Sequence, residues 1–145
     1  MPSTTVKDVM TSGPTSITSD APVVEAARRM LSEDVGSLPV VDGDKLVGMV
    51  TDRDLVLQVI AKDLDPHKVA VADVCSESPV TAEPDESLDE ALQRMANEQV
   101  RRLPVVADGR LVGILAQADV ARSANAESTG RLVEEISEDA ATTPA

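Results

Sequence analysis

The chain has 145 residues, which suits one ordinary domain or two small ones sharing a core. It carries 26 acidic against 13 basic side chains, a net charge of −13, and no Phe, Tyr or Trp. That balance argues against a nucleic-acid polymer as partner, both by charge and by the lack of aromatic platforms for stacking bases. It weighs less against a small anion, because exposed charges more than about 8 Å away are screened at physiological salt. A single cysteine, Cys75, leaves no intrachain disulfide and makes a reducing compartment the default. There is no apolar signal core at the N-terminus and no run of about 18 apolar residues, so the expectation is a soluble, cytoplasmic protein without a membrane span.

In chain order, residues 1–5 are small and polar and are expected to be mobile. Val6 to Met10 reads as a short amphipathic turn, and Pro14 to Thr18 as a brief extended segment. Ser19-Asp20 is placed to cap a helix with Pro22 near its first turn. Val23, Ala26, Ala27, Met30 and Leu31 recur there at helical spacing, and Gly36-Ser37 is the expected stop. Val40-Val41 and Leu46-Val47 flank Asp42-Gly43, a hairpin signal. These apolar runs do not alternate, so the strands are expected to be covered on both faces. From Asp54, the residues Leu55, Val56, Leu57, Val59, Ile60 and Ala61 predict a helix that is apolar nearly all round. Such a helix needs cover on a second side, from the rest of the chain or from another chain.

Lys62 to Ala70 reads as a linker, after which the order returns. Ser87 is placed to cap a helix carrying Leu88, Ala91, Leu92, Met95 and Ala96, and Val105-Val106 and Leu111-Val112 form a second hairpin. Its turn, Asp108-Gly109, falls one residue later than in the first, so the two loops are expected to differ. The stretch Leu38-Pro-Val-Val41 to Asp54 recurs as Leu103-Pro-Val-Val106 to Asp119, an offset of 65 residues that aligns the upstream residues without a gap. About 19 of about 50 positions are identical, which marks an internal repeat. Each copy is too short to bury much apolar surface alone, so the two are expected to pack on each other. Residues 123–145 fall outside the repeat; 127–138 has helical spacing, and the acidic end reads as a flexible tail.

The turn, helix, Leu-Pro-Val-Val hairpin and Gly-x-x-Thr-x-x-Asp, given twice, resemble a tandem cystathionine beta-synthase (CBS) domain pair. The resemblance covers about residues 6–122. It implies an α/β (α+β) fold of two β-α-β-β-α repeats, 6–62 and 71–122, joined by a 63–70 linker and packed pseudo-symmetrically through their sheets. It also implies a homodimer, which would explain the over-apolar helix. The family's adenosyl ligands are AMP, ADP, ATP, NAD(H) or S-adenosylmethionine, held between the copies to regulate an attached or partner protein. With no catalytic or transport domain in these 145 residues, regulation is expected to act in trans.

Within that resemblance, a carboxylate can accept both ribose hydroxyls, a glycine lets backbone approach the ligand, and a threonine hydroxyl can hold the ribose or first phosphate. The first copy has Gly48, Thr51 and Asp54; the second has Gly113 and Asp119, with Ala116 in place of the threonine. Basic residues before the other copy's Leu-Pro-Val strand are expected to reach the phosphates. These are Arg101 and Arg102, against Gly36 and Ser37 in the first copy. One cleft therefore collects Thr51, Asp54, Arg101 and Arg102, with Met49 and Val80 as candidates to flank the base. Arg53 is within range of either cleft.

Structural readings stand beside these. Asp54 and Asp119 can cap the helices that follow them, Thr51 can satisfy a strand end, Arg101-Arg102 can be a solvated pair near Glu98, and Gly48 and Gly113 can serve sheet packing. His67 has no second His or Cys partner for a metal, and Cys75 aligns with Met10 as a small apolar residue. No nucleophile–base set or phosphate-binding Gly-rich loop is present, so a regulatory binding module is expected rather than an enzyme. The alternative is a ligand-free interaction scaffold with the same fold.

Overall fold

A computed structural model of the chain describes residues 4–77 and 79–121. The expected tail at 123–145 and the helical spacing at 127–138 lie outside the described residues. The architecture is mixed α/β. In chain order come α1 (Val6–Val9), β1 (Thr11–Ser12), β2 (Ile17–Thr18), α2 (Val23–Glu33), β3 (Ser37–Asp42) and β4 (Lys45–Thr51). The helix α3 (Asp52–Leu55) follows and widens to π geometry over Val56–Ile60. After a 3-10 turn at Val71–Asp73 come β5 (Ser76–Glu77), α4 (Leu88–Glu98), β6 (Arg102–Ala107) and β7 (Arg110–Ala116). Residues 117–121 are helical.

Both hairpins form with matching register, from Ser37↔Thr51 to Asp42↔Lys45 and from Arg102↔Ala116 to Ala107↔Arg110, and each carries a bulge at its Val-Val pair. The turns sit at equivalent places, Gly43-Asp44 and Asp108-Gly109, which corrects the expected one-residue displacement. They differ in backbone conformation instead. Gly43 alone has positive φ (69°) in the first, whereas Asp108 (53°) and Gly109 (81°) both do in the second. These are the patterns of II′ and I′ turns, the two that match the twist of paired strands. As the unbroken apolar runs predict, Leu38, Pro39, Val40 and Val41 of β3 are all buried.

The two copies are joined by exchange. β1, from the first copy, pairs with β7 of the second, and β5, from the second, pairs with β4 of the first. A direct β4–β7 bridge at Lys45↔Arg110 completes one sheet. The exchange extends to the helix starts. The Val23 amide donates to the Val69 carbonyl at 2.9 Å, and the Leu88 amide to the Thr4 carbonyl at 3.0 Å. These residues are pseudo-equivalent at the 65-residue offset. Neither Ser19-Asp20 nor Ser87 caps through its side chain, because the other copy's backbone supplies the acceptor. Thr4 and Thr5, expected to be mobile, are tied to Leu88 and Ser87 by the same exchange.

The apolar cores follow the exchanged segments. One core gathers Ile17, Val23, Ala26, Met30, Leu38, Val40, Val50, Leu55 and Val59 with Val71 from the second copy. The other gathers Ala82, Ala91, Met95, Leu103, Val105 and Leu115 with Val6 from the first. Neither half closes its core without a piece of the other.

The helices depart from expectation in three places. α2 ends at Glu33, where Asp34 takes left-handed φ (55°), so the helix stops before Gly36-Ser37. Leu31, counted in its apolar stripe, is 84% exposed. α3 begins at Asp52 rather than Asp54, and only Leu55 and Val59 of its apolar residues are buried; Val56, Leu57 and Ile60 remain exposed on the single chain, with Leu64 just beyond. Among the described residues no helix is long and apolar enough to cross a membrane.

Candidate functional site

The exchange of leading segments explains the two glycines first. A Cβ on Gly48 would lie 2.5 Å from the Ser76 carbonyl oxygen and 3.0 Å from Cys75 Sγ; on Gly113 it would lie 2.5 Å from Met10 Sδ and 2.9 Å from the Thr11 carbonyl oxygen. The exchanged strand passes too close for any side chain. Both glycines therefore have a packing reason independent of a ligand, and neither lines a cleft.

Two clefts lie between the copies. The larger, about 1040 Å³, is lined by Met49, Thr51, Asp52 and Arg53 from the end of β4 and the start of α3, and by Val80, Arg101, Arg102 and Gln117 from the second copy. Met49, Thr51, Val80, Arg101 and Arg102 thus meet in one place, as the family resemblance implies. Its charged lining is balanced, Arg53, Arg101 and Arg102 against Asp34, Asp52 and Glu77. None of the three arginines forms an ion pair or side-chain hydrogen bond among the described residues.

Asp54 sits behind this wall rather than on it. The Thr51 amide donates to Asp54 Oδ2 at 2.9 Å, and the Asp54 amide donates to Thr51 Oγ1 at 3.1 Å. This is a capping box that starts α3. Asp54 Oδ1 accepts no hydrogen bond among the described residues.

The smaller cleft, about 300 Å³, is the pseudo-symmetric counterpart, with Ile114, Ala116 and Asp119 where the first has Met49 and Thr51 and, behind them, Asp54. With Ala116 in the cap position no box can form there. Asp119 Oδ2 instead accepts from Thr11 Oγ1, 3.2 Å away on the exchanged strand β1. Among the described residues this cleft is lined by one cation, Arg102, and by the carboxylates of Glu33 and Asp119.

Sequence reasoning missed Ser37, Asp52, Ser76 and Gln117 in the larger cleft. Carrying the 65-residue offset through the lining of one cleft would have found Asp52 and Gln117, whose amides donate to the Gly36 and Arg101 carbonyls at 2.9 and 3.0 Å. Beside the site, burial pushes the Cys75 thiol above its ordinary pKa, helped by Glu77, Asp54 and Asp73. Among the described residues no three His, Cys, Asp or Glu side chains are grouped to hold a metal ion.

Comparison with known proteins accords with this geometry. The CBS domain model matches residues 6–60 and 71–125. Hypoxic response protein 1 of Mycobacterium tuberculosis is 39% identical over 120 residues, covering 82% of this chain and 84% of its own. The crystal structure of Hypoxic Response Protein I, described with two coordinated zinc ions, superposes with a TM-score of 0.76 at 38% identity, over 82% of this chain and 98% of the other. CBSX2, a CBS-pair protein of Arabidopsis thaliana whose structure is described in complex with AMP, superposes with a TM-score of 0.75 at 32% identity, over 86% and 98%. The CBS domain pair of MJ0100, described with 5-methylthioadenosine and S-adenosyl-L-methionine, gives a TM-score of 0.73 at 30% identity, over 87% and 99%. The repeat, the exchanged sheet and these matches agree, and the chain belongs to the CBS domain family, with two CBS domains in tandem.

Proposed function

We propose that this chain is a regulatory module that binds a phosphate-bearing adenosyl ligand, of the AMP, ADP or ATP class, in the larger cleft and signals its occupancy to a partner protein in the cytoplasm. The observation that carries this reading is the convergence of Thr51, Arg101 and Arg102, from opposite copies, on one cleft lined also by Met49 and Val80. Unpaired guanidinium groups suit phosphate oxygens, and they favour a phosphate over the sulfonium of S-adenosylmethionine. Thr51 and Asp54 hold the ribose, with Asp54 Oδ1 as acceptor, and the base lies between Met49 and Val80. AMP-bound and S-adenosylmethionine-bound relatives support the adenosyl class. NAD(H) shares the same adenosyl half.

The module is a homodimer and not an enzyme. Val56, Leu57, Ile60 and Leu64 present apolar surface on one chain, and a second copy is its simplest cover. The second reading, a scaffold that has lost its ligand, is favoured by that same apolar face and by Ala116 and Ser37 in the smaller cleft.

Thermal melting followed by circular dichroism, with AMP, ATP, NADH and S-adenosylmethionine, separates the two readings. A ligand at about 100 times its Kd adds about 2.7 kcal/mol and raises Tm by about 5–10 °C. A shift for a phosphate-bearing ligand, removed by Asp54→Ala, supports the sensor. No shift with any of the four supports the scaffold.

A further inference from the structure

Just before β3, on the wall of the larger cleft, a carboxylate fills the room a side chain would take. A Cβ on Gly36 would meet Asp52 Oδ2 at 3.0 Å, Asp52 Cγ at 3.4 Å and Asp52 Oδ1 at 3.5 Å. The Asp52 amide donates to the Gly36 carbonyl at 2.9 Å, so backbone ties the same two residues. At the 65-residue offset Gly36 and Asp52 match Arg101 and Gln117, and all four line this cleft. One copy thus brings a cation and a neutral amide where the other brings bare backbone under a carboxylate. Among the described residues no ion pair or side-chain hydrogen bond engages the Asp52 carboxylate.

We propose that Asp52 sets the number of phosphates the larger cleft accepts, selecting a nucleoside monophosphate over the di- and triphosphate. This deepens the proposed function and rests on it. Thr51, at the wall where that reading holds the ribose, is the neighbouring residue, so the phosphate chain sets out beside Asp52. A monophosphate carries about two negative charges, which Arg101 and Arg102 match. Each further phosphate adds charge, and the cation left for it, Arg53, shares the lining with Asp34, Asp52 and Glu77. Like charge close by disfavours the longer chain. Asp52 is exposed, so solvent screens the effect to a several-fold preference rather than a block. Selectivity of this kind comes from repelling the longer ligand, not from an added contact to the shorter one.

The test is the ratio of the ATP and AMP dissociation constants of the full-length chain, by titration calorimetry with AMP and by displacement of AMP with ATP. EDTA is present, so that no divalent cation offsets the triphosphate. The natural protein should bind AMP several-fold more tightly than ATP. Asp52→Asn should lower the ratio about three- to fivefold, the scale of one exposed charge contact. Gly36→Arg sets a guanidinium over the same carboxylate and should move the ratio in the same direction. Asp63→Asn removes an equal charge from a residue that lines neither cleft, and its left-handed φ (58°) suits Asn; it should leave the ratio unchanged. ATP bound as tightly as AMP by the natural protein, or more tightly, would overturn the proposal while leaving the adenosyl-binding reading intact. So would a ratio left unchanged by Asp52→Asn or Gly36→Arg, read in whichever keeps a natural circular dichroism spectrum, or one moved equally by Asp63→Asn. Absence of binding by both AMP and ATP at millimolar concentration overturns the proposal and the reading beneath it together.

Discussion

Thr51 and Asp54 hold each other through two hydrogen bonds, 2.9 Å from the Thr51 amide to Asp54 Oδ2 and 3.1 Å from the Asp54 amide to Thr51 Oγ1. The structural and ligand-binding readings of these residues are therefore compatible. The box uses one carboxylate oxygen of Asp54 and leaves the other, and it fixes the hydroxyl of Thr51 at the wall of the larger cleft. The two substitutions separate the roles. Thr51→Ala removes a cap and should cost about 1 kcal/mol, read as a fall of about 3–5 °C in Tm without ligand. Asp54→Asn keeps an acceptor for the Thr51 amide and should leave Tm within about 2 °C, yet weaken AMP binding about ten- to a hundredfold through loss of the charge-assisted bond.

Gly48→Ala should destabilise the ligand-free protein by about 1–3 kcal/mol, because the new Cβ meets the Ser76 carbonyl at 2.5 Å and backbone must move. Gly113→Ala should cost less, since its nearest obstacle, Met10 Sδ, ends a flexible side chain, although the Thr11 carbonyl at 2.9 Å keeps the cost above zero. Chemical denaturation of the two variants gives the order. A Gly48→Ala protein as stable as the natural one would show that the exchanged strand is not held there.

Glu86 and Arg94 form a two-point pair, 2.9 and 2.8 Å, with Glu86 13% exposed. The Arg94 guanidinium, and then the Glu83 amide, hold the Glu86 carboxyl below its usual range. A depressed carboxylate contributes stability that is present above the unfolded value, about 4.3, and lost as pH falls through the folded one. Glu86→Gln should therefore lower Tm at pH 7 by an amount equivalent to about 1 kcal/mol, screening at the half-exposed guanidinium included. The gap between the two proteins should close below about pH 4. A constant gap across that range would contradict the assignment.

Cys75 is half-buried beside Gly48, with its thiol pushed up by burial and by nearby carboxylates. Its thiolate is disfavoured, so reaction with a disulfide reagent at pH 8 should be about tenfold or more slower than that of a free peptide thiol. Urea should bring the rate up to the peptide value as the exchanged strand opens.

The proposed homodimer would be closed by the exposed apolar residues Val56, Leu57, Ile60 and Leu64. Ile60, 68% exposed on the single chain, tests it most cleanly because nothing in the chain's own core depends on it. Ile60→Glu should shift the sedimentation of the protein from two chains to one while leaving its circular dichroism unchanged. A natural protein that sediments as a monomer would remove this part of the account.

What the sequence made legible follows from what repeats and periods encode. The hairpins and their buried faces were readable because identical strings at one offset imply identical environments, whereas the meeting of Thr51 with Arg101-Arg102 across copies, where the two copies differ, was implied only by the family resemblance. The exchange of leading segments was not. β1 and β5 are two residues each, too short for any alternation, and they pair with strands far along the chain. The same blindness moved the helix caps. Ser19-Asp20 looked like a cap by residue type, but a carbonyl from Val69 already occupies that role. Leu31 shows the limit of helical spacing, since a residue at the edge of an apolar stripe faces solvent unless something covers it. Gly48 and Gly113 were ambiguous for a physical reason: a missing side chain looks the same whether a ligand or a neighbouring strand fills the space.

The central claim is tested most directly by a crystal structure of the full chain grown with millimolar AMP. The account predicts one AMP in the larger cleft, with its ribose on Asp54 and Thr51, its adenine between Met49 and Val80, and its phosphate on Arg101 and Arg102. An AMP held elsewhere on the chain, or a larger cleft that stays empty at that concentration, would contradict it.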